Sequence, residues 1–413
     1  MYRSPTSLRK AKELRFRENG PVIPDELLVA RDAGQVLFFC GAGVSTAKAR
    51  LPGFLGLADK VLNQLRALPD SPARQLMKVV GELQGHKITG VGGIVAADRI
   101  FGLLEREFAL KDIEGAVGGA LKPRLDASLD AHRILLALSK GPSGKPRLVT
   151  TNFDLLFEAA DPSSRRWTPS QLPDFRRHAD FEGIVHLHGM LDSDYREAVG
   201  GRLVLSSAEF GRAYLAESWA TEFIRAAIER YRIVFVGYTA DDPPVQYLLE
   251  ALNRGNPVGR QDLYAFQGGD AGEAAALWKQ KGVSAIAYSP KNEHAELWET
   301  LGSWAERARN PERWRNQLLK KAARGPAELM LHERGQVAHL AATTEGARAI
   351  AAAKRPLPSE WLCVFDPAVR FGTLGYLSSD VESFRRYGID SDQAFAPRSS
   401  QRRCVQAISR SRV

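Results

Sequence analysis

The chain has 413 residues, 44% of them hydrophobic and 25% charged, a balance that suits a globular protein with room for two or three domains. No stretch approaches the roughly 18 apolar residues that a membrane span needs, and the N-terminus lacks the apolar centre of a secretory signal. A cytoplasmic protein with no membrane partner is therefore expected. The formal charge of +9, from 57 basic and 48 acidic residues, favours anionic partners such as nucleotides, nucleic acid or an acidic protein surface, and equally suits a solvated basic surface.

Residues 1–30 read as a basic, solvated arm, with Arg3, Arg9, Lys10, Lys12, Arg15 and Arg17 against Glu13 and Glu18. A short helix behind Pro24 closes it, with Asp25 as its cap. The apolar run 36–40 is a strand that stops at Gly41-Ala42-Gly43. Apolar residues then recur at Phe54, Leu57, Ala58, Val61, Leu62 and Leu65, which is helical spacing with one buried face. Helical character continues to about residue 145, so 55–145 is predicted to be a helical insert between the first two strands. Short apolar runs follow at 148–151, 184–187, 203–205, 233–236, 263–266 and 284–288. Helical stretches separate most of them, one opened by a capping box at Ser206–Glu209 and one by Asp242-Pro243. Alternating strands and helices predict an α/β fold, a parallel sheet with helices on both faces. The domain is expected to span 31–290. Residues 291–413 are predicted to form a mainly helical region with Trp298, Trp304 and Trp314 in its core. Its end, rich in Ser and Arg, is expected to be loose.

In a parallel sheet, ligands bind beyond the carboxyl ends of the strands. The residues there are Gly41-Ala42-Gly43-Val44-Ser45, Asn152-Phe153-Asp154, His188-Gly189 and Gly237-Tyr238. Two glycines beside a helix start let a backbone present N–H groups to an anion, and a pyrophosphate is the natural occupant. A plain strand-to-loop turn explains them equally. The third glycine of the dehydrogenase fingerprint is missing, which disfavours hydride transfer. His186 and His188, two residues apart in a strand, would share a face. His188, against a glycine at the strand end, is the better-placed general base. Cys40, Cys363 and Cys404 have neither metal-ligand nor disulfide-framework spacing, and fit a reducing compartment.

Taken in order, Gly41-Ala42-Gly43-Val44-Ser45, Pro52 and Phe54, Thr151-Asn152-Phe153-Asp154, His188-Gly189 and Gly237-Tyr238 resemble the sirtuin family over about residues 30–290. The resemblance implies a Rossmann-like NAD-binding fold. Two departures stand out. Between His188 and Leu203 no cysteine occurs, so the zinc module of deacylase sirtuins is absent and no metal is expected. The family's Pro-Asp-Phe-Arg reads Pro52-Gly53-Phe54-Leu55 here, which removes its acid and arginine. The run 237–243 looks like the Gly-Tyr-Ser-x-x-Asp-Pro stretch of bacterial sirtuin-like NADases, many of which serve anti-phage defence.

By that resemblance NAD is the substrate, cleaved to nicotinamide and ADP-ribose. Asn152 positions the water or the ribose, His188 acts as general base, and Asp154 orients Asn152 or the nicotinamide end. Phe54 covers the nicotinamide pocket. Gly41, Ala42, Gly43 and Ser45 hold the phosphates, with Thr151 beside Asn152. Gly237, Tyr238 and Asp242 lie along the adenosine half, Asp242 touching ribose or only capping its helix. A zinc-less deacylase or ADP-ribosyltransferase and a non-catalytic NAD sensor are the alternatives. A homo-oligomer, a companion ATPase or a phage-derived activator is the expected gate, and nucleic acid is not expected as a direct substrate.

Overall fold

A hairpin opens the chain: β1 (Glu13–Arg15) pairs antiparallel with β2 (Val22–Pro24). The computed structural model describes residues 13–85, 97–174, 181–240, 242, 245–247, 249, 263–361 and 364. Two compact units divide the chain, Ala30–His294 and Met1–Val29 with Ala295–Val413. The chain continues from β2 into α1 (Asp25–Asp32).

The larger unit starts with β3 (Val36–Cys40), buried at every position. Next come α2 (Ala42–Ala49) and α3 (Phe54–Gln64), then α4 (Pro72–Gly85), α5 (Ala97–Glu107), α6 (Leu110–Leu121) and α7 (Asp130–Leu138). Helices α3–α7 occupy the stretch read from the sequence as an insert. Helices α3–α6 share an apolar cluster that includes Leu57, Val61, Ile100, Phe101, Leu104 and Val117, joined by Phe153, Leu156, Leu191, Leu203 and Leu205 from later in the chain. The chain returns to the sheet in β4 (Arg147–Thr150), α8 (Leu156–Ala160), β5 (Arg166–Trp167) and β6 (Gly183–His186). A small ribbon, β7 (Met190–Leu191) with β8 (Ala198–Val199), follows. Then come α9 (Ser207–Gly211), one π-helical turn over Arg212–Ala216, α10 (Trp219–Ile228) and β9 (Arg232–Val236). The unit ends with β10 (Leu263–Gly268), α11 (Ala271–Lys279) and β11 (Ser284–Tyr288).

Seven strands form one sheet in the order β11-β10-β9-β3-β4-β6-β5, and every neighbouring pair is parallel. This is the predicted α/β architecture. The order turns back at β3 and β9: from β3 the chain proceeds to β4 on one side, and β9 to β11 fill the other. Ser206 caps α9 through a bond from the Glu209 N–H, 3.3 Å, which is one half of the predicted capping box; the Glu209 carboxylate pairs with Arg202 and Arg212. The run 203–205, expected as a strand, is not one. It is buried and tied by the Val204 N–H to His188 O, 2.9 Å. Burial on all sides produced the apolar signal there, and an apolar run alone does not separate a strand from a packed loop.

The smaller unit corrects the reading of residues 1–30 as a solvated arm. Leu14 and Ile23 are fully buried, so each strand of the hairpin turns its middle residue inward between two half-buried ones. Gln336 of α14 (Leu331–Ala341) donates to the carbonyls of Arg15 and Phe16, each at 3.0 Å. The basic residues through Lys12 lie outside the described residues. Ahead of α14 run α12 (Lys291–Arg309) and α13 (Pro311–Ala322), and α15 (Thr344–Ala351) follows it. Asn292, Glu293 and His294 all have positive φ, 52°, 53° and 61°, so α12 is regular only beyond them. Trp298 and Trp304 are buried, and Trp314 is half-buried under the Arg307 guanidinium, 5.4 Å from its ring. The tail expected to be loose lies outside the described residues.

Candidate active site

Register aligns the strand ends. Cys40 pairs with both Thr150 and Val236, and Thr150 pairs with His186. The chain therefore leaves β3, β4, β6 and β9 side by side, at the place where the sheet order reverses. Such a switch point is where open α/β sheets bind ligands.

The glycine corner is the tightest part. Gly41 N–H donates to Val236 O and Gly43 N–H to Gly237 O, both at 2.9 Å. A Cβ on Gly41 would stand 2.7 Å from Gly237 O and from the Tyr238 ring, and one on Gly43 would stand 2.8 Å from Gly237 Cα. Gly237 has φ +76°, a conformation that favours glycine. The close approach that the sequence suggested is thus made by the exit of β9. The Gly43 amide, expected to face a phosphate, is bonded within the protein. Ala42 to Ser45 form the first turn of α2, so the positive end of that helix points at the corner.

Ser45 is almost fully buried, at 3% exposure, and forms the hub of a polar network. Its hydroxyl donates to Asp154 Oδ2, 2.9 Å, and accepts from Asn152 Nδ2, 3.1 Å. His132 Nε2 from α7 stands 3.2 Å away. A hydroxyl has one proton and two lone pairs, so His132 donates here from Nε2. Burial pushes the His132 pKa down to about 4, so the ring is neutral. Asn152 Nδ2 also donates to Gly41 O, 3.2 Å, which ties β4 to the glycine corner. Asp154 accepts from Leu156 N–H, 3.1 Å, at the start of α8. Burial raises its pKa, partly offset by the Leu156 and Ser45 bonds. Asp154 reaches Asn152 through Ser45.

The two histidines do not share a face. Strand β6 stops at His186, and Leu187-His188 turn over Gly189, whose φ is +90°. His188 Nε2 meets the Tyr214 hydroxyl at 2.8 Å. Phe210 presents its face or edge to the His188 ring at 5.2 Å and an interplanar angle of 87°. Burial alone lowers the His188 pKa to about 3. His186 turns the other way, to Glu158 Oε1 at 2.8 Å and Asn152 O at 3.2 Å.

Aromatic rings wall the His188 side. Phe54 stacks on Phe101 at 5.5 Å and meets Phe210 edge-on at 6.4 Å. Phe210 in turn stacks on Tyr247 at 4.9 Å. Thr151 shares a hydrogen bond with the Tyr238 hydroxyl, 2.8 Å, so β4 and β9 are tied beyond their ends. Asp242 accepts from Thr239 N–H and its hydroxyl, 2.6 and 2.9 Å. These bonds tie the carboxylate to the turn that precedes it, not to the helix it was expected to cap. Pro243 lies outside the described residues.

The sequence reading missed His132, Glu158, Phe210, Tyr214 and Tyr247 at this site. Only Glu158 left a local signal, a carboxylate four residues beyond Asp154 at helical spacing. His132 arrives from the insert, Phe210 and Tyr214 from α9 and the turn after it, and Tyr247 from the chain beyond β9. Among the described residues, no group of three His, Cys, Asp or Glu side chains could hold a metal ion. Among them, too, no helix is long and apolar enough to cross a membrane.

Comparison with known proteins gives three findings. An "Uncharacterized protein y4cA" of Sinorhizobium fredii is 31% identical over 331 residues, 76% of this chain and 26% of that protein. The chain thus spans about a quarter of the length of the curated relative it matches. A solved structure from "Structural Basis for the Mechanism and Regulation of Sir2 Enzymes" aligns with 71% of this chain and 99% of that one, at 15% identity. Its TM-score of 0.35 is too low to carry an argument. Residues 146–286 match the family described as SIR2-like domain, a span that includes Asn152, Asp154, His188 and Gly237 and begins after the glycine corner. Over residues 146–286, then, the chain is similar to the SIR2-like domain family.

Proposed function

We propose that the chain is an NAD+ glycohydrolase, which cleaves NAD+ to nicotinamide and ADP-ribose. One observation carries the reading. Asn152 and His188, in a segment that resembles the NAD-handling part of sirtuins, each follow by two residues a strand, β4 and β6, that ends level with the glycine corner at the switch point of the sheet. Loss of nicotinamide leaves positive charge at the ribose carbon. The buried carboxylate of Asp154, coupled to Asn152 through Ser45, supplies the opposite sign in a low-dielectric setting. Asn152 orients the ribose or the attacking water.

His188 is neutral at any physiological pH because burial holds its pKa near 3. It therefore always has a lone pair to accept a proton. So weak a base suits a ribose hydroxyl or water that the neighbouring cationic centre has acidified. Phe54, Phe210 and the two tyrosines keep bulk water from that side. The loss of the family's acid and arginine at Gly53 and Leu55 removes the support for an acyl-peptide substrate. The resemblance of residues 237–243 to defence NADases extends the proposal to a cytoplasmic effector that depletes NAD+. A homo-oligomer, a companion ATPase or a phage-derived activator would gate it.

The test is to incubate the protein with NAD+ alone and follow nicotinamide and ADP-ribose by chromatography. Asn152→Ala and His188→Ala are each expected to slow release by about 10²–10⁴-fold without a change in melting temperature large enough to signal unfolding. If both variants release nicotinamide at the normal rate, the hydrolase reading of this site is wrong; no release from NAD+ alone leaves a gated hydrolase awaiting its trigger or a non-catalytic NAD sensor.

A further inference from the structure

Asn152 is held twice. Its side-chain amide is fixed by Ser45 and Gly41, as described above. Its main-chain carbonyl is fixed from the opposite side by His186, through Nδ1 at 3.2 Å. The other ring nitrogen, Nε2, lies 2.8 Å from Glu158 Oε1. A carbonyl oxygen can only accept, and so can a carboxylate. Both ring nitrogens must therefore carry a proton for both bonds to exist. His186 is fully buried, and the Glu158 side chain is 11% exposed. The second carboxylate oxygen of Glu158, Oε2, is buried without a hydrogen-bond partner among the described residues. The bond to His186 is thus the main compensation for burying that charge.

We propose that His186 is a positioning residue of the site: donating from both ring nitrogens, it braces the Asn152 peptide against Glu158, so that a proton on His186 sets where the Asn152 amide stands. Its effect on turnover rests on the NAD+ reading above, and the brace itself does not.

The surrounding charges agree with this assignment. Burial opposes the charged ring, but the Glu158 carboxylate, its hydrogen bond, Asn152 O and the Asp154 charge outweigh it, and the His186 pKa is raised. Burial opposes the Glu158 charge too, yet His186 and, more weakly, Arg166 of β5 leave its pKa lowered. His132 of α7 also faces Glu158, and burial keeps that ring neutral. A raised histidine pKa means that the brace is complete below the ordinary pKa of about 6.5 and is lost as the pH rises through the raised value. Glu158 fails on the other side, as the pH falls through its lowered value.

The experiment combines histidine ¹⁵N NMR on the full chain with nicotinamide release across pH, for the wild type, Glu158→Gln and His186→Gln. In the wild type both His186 nitrogens should be protonated at pH 7, and the Asn152 side-chain amide signal should move in step with the His186 titration. Glu158→Gln keeps an acceptor but removes the charge. It should lower the His186 midpoint by about one pH unit or more and move the alkaline limb of kcat by the same interval, with KM little changed. A neutral His186 at pH 7, or an Asn152 signal indifferent to its titration, overturns the brace and needs no variant to fold. Turnover whose alkaline limb stays in place while the His186 midpoint moves overturns the positioning role. A brace that titrates as expected in a protein that cleaves no NAD+ supports the brace and takes support from the NAD+ reading alone.

Discussion

Gly43 has no space for a methyl group, because the Gly237 backbone is 2.8 Å from where its Cβ would be. Backbone on both sides cannot yield as a flexible side chain would. Gly43→Ala is therefore expected to destabilise the protein by about 1–3 kcal/mol, read as a lower denaturant midpoint. It should also pry β3 and β9 apart at the point where the site converges. A midpoint equal to that of the wild type would mean that the corner is looser than it is drawn here. Ser45 illustrates why side-chain roles at this scale escape a sequence reading. It was expected to hold phosphate through a first-turn position. Its hydroxyl is instead consumed by Asp154, Asn152 and His132, three residues more than 80 positions away in the chain.

The helical insert makes a second core rather than a simple crossover. On α5, Ile100, Phe101 and Leu104 are fully buried, with the spacing of one helix face. Phe101 also carries the ring of Phe54. Phe101→Ala should cost about 3–5 kcal/mol and leave Phe54 without its stacking partner, so loss of stability should come with a loosened aromatic wall. On α6, Gly115 offers the opposite case. A Cβ there meets nothing within 4 Å, and glycine inside a helix wastes backbone entropy. Gly115→Ala should therefore stabilise by about 0.5–1 kcal/mol, seen as a raised melting temperature. Burial at Phe101 was readable from periodicity. The stacking of Phe54 on it was not, because that contact depends on how α3 crosses α5.

The two ends of the chain build one unit. Leu14 is fully buried, and Gln336 satisfies the carbonyls beside it from a helix more than 300 residues later. Leu14→Ala should cost this unit about 2–5 kcal/mol. Calorimetry should show the loss in one transition, while the transition of the sheet-bearing unit stays where it was. A uniform shift of all unfolding would contradict two separately cored units.

Some of this was determined by the sequence alone. Strand and helix periods are local, so the buried strand 36–40, the alternation of elements and the N-cap at Ser206 could be read from neighbouring residues. The residues that follow strands could be grouped as well, because a parallel sheet places all its carboxyl ends on one edge. Only the tertiary structure decided which groups meet there. Two residues beyond the end of β6, His188 has left the strand for Tyr214, while His186 remains to hold Asn152. Two residues of separation predict a shared face only while the strand continues, and the strand ends between them. The hairpin of β1 and β2 escaped the sequence reading for a related reason. Leu14 and Ile23 are buried in it, and that burial acquires meaning only beside α14, more than 300 residues later.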